Sequence, residues 1–383
     1  MIYFDNSATT HPKPQSVQAA VNRAVSMYSA NPGRGGHRLS MTASQQLYDS
    51  RAEVASFFGV KDPSSLVFTQ NCTMSLNTVI KGVVKSGDHI VVSSLEHNAS
   101  FRPVNKLKEI GVTYSVAQVY ENDSDRTLES FRAAINDRTR LIVCTHASNV
   151  TGVKLPVERI CAMAHQYGVL TCVDAAQTAG VIPIDLSQSS IDYLCLAGHK
   201  SLYGPMGTGA LIINCDTIPD SLIEGGTGSN SESPEQPSVI PDRFESGTCN
   251  LPGIIGMAQG VRFVKSRGVE RIYAREMNHI RRIYSRFSRL ENVILYTDYP
   301  EDYSYLPVLS FNIDGMDSET VSQRLSDRFN IATRAGLHCA PLAHKSVGTL
   351  ETGTVRVSPS VFTTDYDVNS LINAVTFLSQ NNK

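Results

Sequence analysis

The sequence predicts an α/β fold: a mainly parallel sheet covered by helices on both faces, followed by a second, smaller domain. Three observations carry this. From about residue 65, short apolar runs alternate with amphipathic segments, the pattern of strand–helix–strand units. The runs are apolar throughout rather than at every second position, as in strands buried on both faces. At 383 residues the chain is long enough for a large core and for two domains.

The elements follow in chain order. Met1-Ile2-Tyr3-Phe4-Asp5 is strand-like, without a basic start or an apolar signal core. Leu66-Val67-Phe68 reads as a buried strand, followed by Asn71-Cys72-Thr73 and a helix from about Met74, with Thr73 as a suitable N-terminal cap. Ile90-Val91-Val92, Leu141 to Cys144, Leu170 to Val173 and Ala210 to Ile213 are further strands. Val157, Ile160, Cys161, Ala164 and Tyr167 recur at helical spacing before Gly168. Glu224 to Asp242 is rich in Gly, Ser, Pro and Glu and aperiodic, so it reads as a long ordered loop or a mobile flap. A helical segment from about Pro252 to Leu290 leads to the smaller domain. There a strand at Val308–Phe311, a helix near Ser318–Phe329, a loop around Cys339 and a final helix from about Asp365 are expected.

Composition excludes several classes. A hydrophobic fraction of 41% and a charged fraction of 18% describe an ordinary globular protein. A formal charge of -2 argues against nucleic acid or an anionic membrane as a partner. No run approaches the roughly 20 apolar residues of a membrane span, so a cytoplasmic protein is expected. The eight cysteines are scattered without a CxxC pair, and no disulfide framework is expected in a reducing compartment. Cys144, Cys161, Cys172, Cys195 and Cys215 sit in or beside apolar segments and read as small buried hydrophobes. Cys339 differs, lying in a loop rich in Gly and His.

The chemistry concentrates at two strand ends. Val173-Asp174-Ala175-Ala176-Gln177 places an acid after one apolar strand, and Leu194-Cys195-Leu196-Ala197-Gly198-His199-Lys200 places a lysine after the next. Pyridoxal phosphate requires such a pair: a lysine amine to hold its aldehyde as a Schiff base, and a carboxylate to keep its ring nitrogen protonated. In sheets of this kind ligands bind beyond the carboxyl ends of the strands, where these motifs fall. Asn71-Cys72-Thr73, between the strand Leu66–Thr69 and the helix from about Met74, is placed to receive a phosphate at a helix start.

These residues resemble the class V aminotransferase superfamily of fold-type I pyridoxal phosphate enzymes, and within it the cysteine desulfurase and selenocysteine lyase branch. The likeness runs from Asp5-Asn6-Ser7-Ala8-Thr9-Thr10 to Gly353-Thr354-Val355-Arg356-Val357-Ser358. Between them lie Asn31 to His37, Glu96-His97-Asn98, His146 to Gly152, Arg243 to Thr248 and Arg334 to Pro341. It implies a large domain over 15–260 with a seven-stranded sheet, and a small α+β domain from 1–14 and 261–383.

The resemblance also implies roles. Lys200 carries the Schiff base and moves protons, Asp174 pairs with the ring nitrogen, Gln177 meets the phenolic oxygen and His97 stacks on the ring. His199, Cys72 and Thr73 bind the phosphate, and Thr248 reaches the phosphate of the neighbouring subunit in a homodimer. Arg356 binds the substrate carboxylate with Asn149 as a second donor, and Arg34 and His37 line the entrance, although Pro32-Gly33-Arg34-Gly35-Gly36 is also a plain turn signal. Cys339 attacks the substrate sulfur. Its thiolate would be favoured by Arg334, His338 or a protonated His37. The short loop around it resembles group II desulfurases, in which a docked partner must collect the sulfur.

The sequence departs from relatives in Ala197 and Cys72, which remove hydroxyls from the expected phosphate cup, in Leu337 where a histidine is usual, and in an extra residue before Gly204-Pro205 that marks a subfamily. The resemblance implies conversion of L-cysteine to L-alanine with a persulfide on Cys339, in sulfur metabolism such as iron–sulfur cluster assembly. Alternatives are a selenocysteine lyase, another class V enzyme such as an aminotransferase or epimerase, and a cofactor-binding sulfur-transfer scaffold. A zinc site from His338, Cys339 and His344 lacks a fourth spaced ligand, and no metal is expected.

Overall fold

The computed structural model describes residues 1–33 and 35–381. The chain opens with β1 (Ile2–Tyr3), α1 (Gln15–Met27) and α2 (Arg38–Phe57). Strands and helices then alternate: β2 (Leu66–Thr69), α3 (Cys72–Val83), β3 (His89–Ser93), α4 (Asn98–Lys106), β4 (Thr113–Ala117), α5 (Ser124–Ala134), β5 (Thr139–Thr145), α6 (Val157–Gln166) and β6 (Leu170–Asp174). β7 (Tyr193–Ala197) and β8 (Gly209–Ile213) complete this part. Downstream lie α7 (Leu251–Arg267), α8 (Val269–Phe287), β9 (Val293–Leu295), β10 (Leu309–Ile313), α9 (Ser318–Phe329) and β11 (Ile331–Ala332). The last elements are α10 (Pro341–Ser346), β12 (Val355–Val357) and α11 (Asp365–Gln380).

Seven strands form the main sheet in the order β2-β8-β7-β6-β5-β3-β4. β8 runs antiparallel to both neighbours, while the pairs from β7 through β4 are parallel. Every residue of β3, β7 and β8 is buried. The two-residue period of a strand distributes them to two cores. Ile142 and Cys144 of β5 join one face, and Leu141 and Val143 join the other. Each such aliphatic side chain contributes about 1.5–3 kcal/mol when fully buried. All eight cysteines are free, and Cys144, Cys161, Cys172 and Cys195 are buried as expected; Cys215 is only half-buried.

A third core gathers β10 and β12 with α8, α9 and α11, and Phe4 sits in it fully buried beside Phe287 and Phe311. The first residues reach it because β1 pairs in parallel with β11. β10 is flanked by β9 and β12, both antiparallel.

Two boundaries differ from expectation. α3 begins at Cys72 and is capped by Asn71, whose side chain accepts from the Met74 amide at 2.9 Å; Thr73 lies inside the helix. Asn71 keeps extended backbone, as a cap must, and a shorter amide arm than glutamine reaches the third amide directly. The long segment from Pro252 to Leu290 is two helices. They part at Gly268, whose φ of 83° no helical residue adopts. Residues 224–242 contain no helix or strand. They form a loop in which Gln236 accepts from Gly225 N (3.1 Å) and donates to Arg243 O (3.0 Å) and Ser246 Oγ (2.9 Å). The adjoining Glu245 is fixed to the main sheet: Arg51 grips both its oxygens at 2.6 and 2.7 Å, and Phe68 N donates to it at 2.7 Å.

Candidate active site

The carboxyl ends of β2, β3, β5, β6 and β7 open onto one cavity of about 240 Å³. Lys200, Asp174, Gln177, His97, His199, Cys72, Thr73, Asn149, Arg356 and Cys339 all line it. Residues far apart in sequence meet there because parallel strands end on one edge, and the turns that follow carry the polar side chains.

Lys200 follows β7 through a turn in which Tyr203 N bonds Lys200 O at 2.8 Å. Burial holds its amine below the usual lysine range, opposed by the carboxylate of Asp174. A lowered amine is a better nucleophile and proton acceptor near neutrality. Asp174 ends β6 buried. Its Oδ1 accepts from Ala176 N at 2.9 Å and from Cys72 Sγ at 3.3 Å. Gln177 Nε2 donates to Ser7 O at 3.1 Å, which brings the start of the chain over the cavity.

His97 caps α4, its Nδ1 accepting from Ala99 N at 3.0 Å. That bond leaves the proton of the neutral ring on Nε2. Burial, offset by Asp174, takes the imidazole down to about 4, so it is neutral near pH 7. The preceding Glu96 is fully buried and accepts from Ser93 Oγ, Ser100 Oγ and Thr145 N, joining the ends of β3 and β5 to α4. Burial outweighs these bonds and raises its carboxyl to about 7.

At the phosphate end, Cys72 and Thr73 are the first residues of α3, and the amides at a helix start have no intrahelical partner. His199 Nδ1 is buried without a partner among the described residues. Lys13 Nζ donates to His199 O at 2.6 Å, and Thr9 Oγ1 donates to the same carbonyl at 3.0 Å. Burial lowers Lys13 to about 8. A helix start and an unsatisfied imidazole on the same cavity are a donor set for a phosphate. With Lys200 and Asp174 at the other end, the residues fit pyridoxal phosphate.

At the substrate end, Arg356 is 1% exposed. Nη2 pairs with Asp5 Oδ1 at 2.8 Å and Nη1 donates to Asn149 O at 3.0 Å, while Nε has no partner among the described residues. Asn149 Nδ2 is engaged elsewhere, donating to His338 O at 2.9 Å.

Cys339 is exposed, between β11 and α10. Its loop is pinned: Asn98 N donates to Cys339 O at 2.7 Å, and Ala340 N to Leu337 O at 2.9 Å. His338 and Cys339 both adopt left-handed φ, 47° and 57°, a conformation that side chains rarely take and that these bonds hold in place. His338 is buried against Thr354 and, by burial and then Arg356, pushed down to about 2. It is therefore neutral and cannot supply the positive charge expected of it beside the thiol. His344 bonds Thr349 Oγ1 at 2.7 Å. Among the described residues no three His, Cys, Asp or Glu side chains gather as metal ligands.

Two expected residues stand apart, and a third is not described. Arg34 lies outside the described residues. His37 is exposed and caps α2, accepting from Ser40 N at 3.3 Å, a structural task in this chain. Thr248 lines a separate cavity with Phe68, Gly207 and Asn250. Conversely, Asp5, Ser7, Glu96 and Lys13 have tasks at the site that their motifs did not disclose. Asp5 and Ser7 lie in the opening block, and Glu96 directly precedes His97.

A cavity at the strand ends of an α/β sheet that gathers Lys200 and Asp174, with Arg356 reaching it from β12, defines the class of enzyme, and comparison agrees. The aminotransferase class-V family model matches residues 2–371, and the chain belongs to that family. Within it, the chain is 33% identical to a probable cysteine desulfurase of Methanothermobacter thermautotrophicus, covering 97% of this chain and 92% of the relative. It is 34% identical to a probable cysteine desulfurase of Pyrococcus abyssi, covering 99% and 92%. The apo cysteine desulfurase of Thermococcus onnurineus superimposes with a TM-score of 0.91 at 32% identity, covering 99% of this chain and 95% of that one. A cysteine desulfurase of Escherichia coli in its S-sulfonic acid form gives 0.88 at 25% identity, covering 99% and 95%.

Proposed function

We propose that this protein is a pyridoxal phosphate-dependent cysteine desulfurase that converts L-cysteine to L-alanine and takes the sulfur as a persulfide on Cys339. The observation that carries the reading is an exposed thiol on the rim of the cavity that holds Lys200, Asp174 and Arg356. Transamination and epimerisation need no such thiol.

When bound, pyridoxal phosphate supplies an electron sink for the substrate's α-carbon. Asp174 would keep the ring nitrogen protonated, the neutral imidazole of His97 would pack against the ring, and Gln177 would donate to its phenolic oxygen. The start of α3, with His199, would hold the phosphate. Arg356, which lines the cavity, would bind and orient the substrate carboxylate. Lys200 takes the proton from the α-carbon and delivers protons to the departing alanine. The Cys339 thiolate attacks the substrate sulfur; the S–S bond forms, the substrate's C–S bond breaks, and its electron pair stays on the carbon that Lys200 protonates. A thiol acceptor then attacks the persulfide. Because the Cys339 loop is pinned by Asn98 and Asn149, a sulfur-acceptor protein has to come to the entrance.

A homodimer belongs to the same reading: Thr248, which lines a cavity apart from that of Lys200, would complete the phosphate site of a neighbouring copy. Eight free cysteines suit a reducing compartment, the cytoplasm. Among the described residues no helix is long and apolar enough to cross a membrane.

The test is to incubate the pyridoxal phosphate-loaded protein with L-cysteine, with and without a dithiol, beside Cys339→Ala. Alanine is expected from the wild type, together with a mass gain of one sulfur on Cys339 when the dithiol is withheld, and at least a hundredfold less alanine from the variant. A loaded enzyme that forms no alanine overturns the reading. Selenocysteine is then the substrate to offer.

A further inference from the structure

The resemblance puts Cys72 in the phosphate cup, but its side chain is bonded to Asp174. It is buried at the first position of α3, among Cys172 and Ala176, with Sγ 3.3 Å from Asp174 Oδ1. Burial and the Asp174 carboxylate both raise the thiol far above its ordinary range, so the proton stays on sulfur and the thiol donates. The same Oδ1 accepts from Ala176 N at 2.9 Å. Oδ2 receives no hydrogen bond from the described residues, and Asp174 lines the cavity. Two donors on one oxygen fix the rotation of the carboxylate and leave the other oxygen to a single ligand donor.

We propose that Cys72 is a positioning residue for Asp174: together with the Ala176 amide it holds Oδ1, so that Oδ2 is turned to receive the ring N–H of pyridoxal phosphate. This rests on the cofactor reading above. It moves Cys72 from the phosphate end of the site to the ring-nitrogen end, leaving the helix-start amides and His199 to hold the phosphate. A thiol is a weak donor, so the effect is modest. Losing one such bond on a charged acceptor corresponds to about three- to tenfold.

The test compares wild type, Cys72→Ala and Cys72→Ser. In Cys72→Ala the dissociation constant for pyridoxal phosphate rises about three- to tenfold and kcat falls by a similar factor, while KM for L-cysteine holds. The visible absorption band of the bound cofactor titrates at a shifted pH. Cys72→Ser restores most of each change, because its hydroxyl donates to the same oxygen. A second readout needs no cofactor: the infrared S–H stretch that disappears in Cys72→Ala apoenzyme lies at the low frequency of a hydrogen-bonded thiol. The proposal is overturned if Cys72→Ala matches wild type, if Ala and Ser are equally impaired, or if the lost stretch is that of a free thiol. Wild type that binds the cofactor but yields no alanine sinks the desulfurase reading alone; wild type that binds no cofactor overturns both.

Discussion

Arg356 gives two of its guanidinium nitrogens to the fold, and the proposed reading asks it to bind a carboxylate as well. One nitrogen pairs with Asp5, one donates to Asn149 O, and the third is buried without a partner among the described residues. A lysine at this position could keep the Asp5 pair but would present a point charge in place of a planar fork. Arg356→Lys is therefore expected to raise KM for L-cysteine about ten- to hundredfold, the range for losing one charge-assisted bond of about 1.5–3 kcal/mol. Affinity for pyridoxal phosphate stays within about twofold. Steady-state kinetics beside a cofactor titration checks both, and an unchanged KM would move carboxylate recognition to Arg334, which lines the same cavity. The sequence exposes Arg356 because a charge in a strand demands a partner, but not which partner. Asp5 stands 351 positions away, and no spacing rule spans that distance. The same holds for Cys72 and Asp174, and for Asn149, whose amide went to His338 O. Lys200, Asp174, Gln177 and His97 were legible because each directly follows an apolar strand, so chain position alone places them at one edge of the sheet.

At the scale of elements, the apolar runs named strands correctly because complete burial on both faces is written in composition. Helix ends were less legible. Asn71 and Thr73 are both good caps on paper, and only the backbone decides between them; Gly268 breaks a periodic segment that side chains alone would continue. α8 also carries a buried acid that periodicity treats as core. Glu276 is 3% exposed, bonded by Tyr203 of the turn after Lys200, and burial raises its carboxyl to about 8. The folded protein therefore holds a proton that the unfolded chain releases above an ordinary pKa of 4.5. This contribution is fully present below that ordinary value and is lost as pH rises through about 8. Across the window the slope reaches at most about 1.4 kcal/mol per pH unit. Glu276→Gln keeps the hydrogen-bonding shape and cannot ionise. Its Tm relative to wild type should climb steadily as pH is raised from about 5 to about 8.5, in melts of both proteins without ligand. A difference that stays flat with pH would mean that Glu276 is ionised in the fold throughout.

The whole molecule presents surfaces that a single copy leaves unused. Met206 is 71% exposed, Met41 63% and Leu39 62%. Met206 borders the Gly207 wall of the Thr248 cavity, and Met41 lines an open groove with Gly33, Tyr48 and Gly226. Large exposed apolar side chains beside functional motifs suit a contact surface, and in the proposed dimer a two-fold contact would carry Thr248 of one copy to the cavity of the other. If Thr248 serves the neighbouring site, subunits with different defects must repair one another. Lys200→Ala removes a copy's own chemistry but leaves its Thr248 intact, whereas Thr248→Ala leaves Lys200 intact and deprives the partner. In a mixed dimer, the Lys200 of the second variant faces the Thr248 of the first, and one complete site appears. Refolding or co-expressing the two variants should therefore restore alanine formation to roughly a quarter of wild type, because about half of the dimers are mixed and each holds one whole site of two. The parent variants alone stay well below that. If Thr248 acted within its own chain, every site in the mixture would lack either Lys200 or Thr248, and mixing would restore nothing. Separating the mixed species by two affinity tags and weighing it by light scattering settles the stoichiometry in the same experiment. A monomer at working concentration would end the shared-site argument.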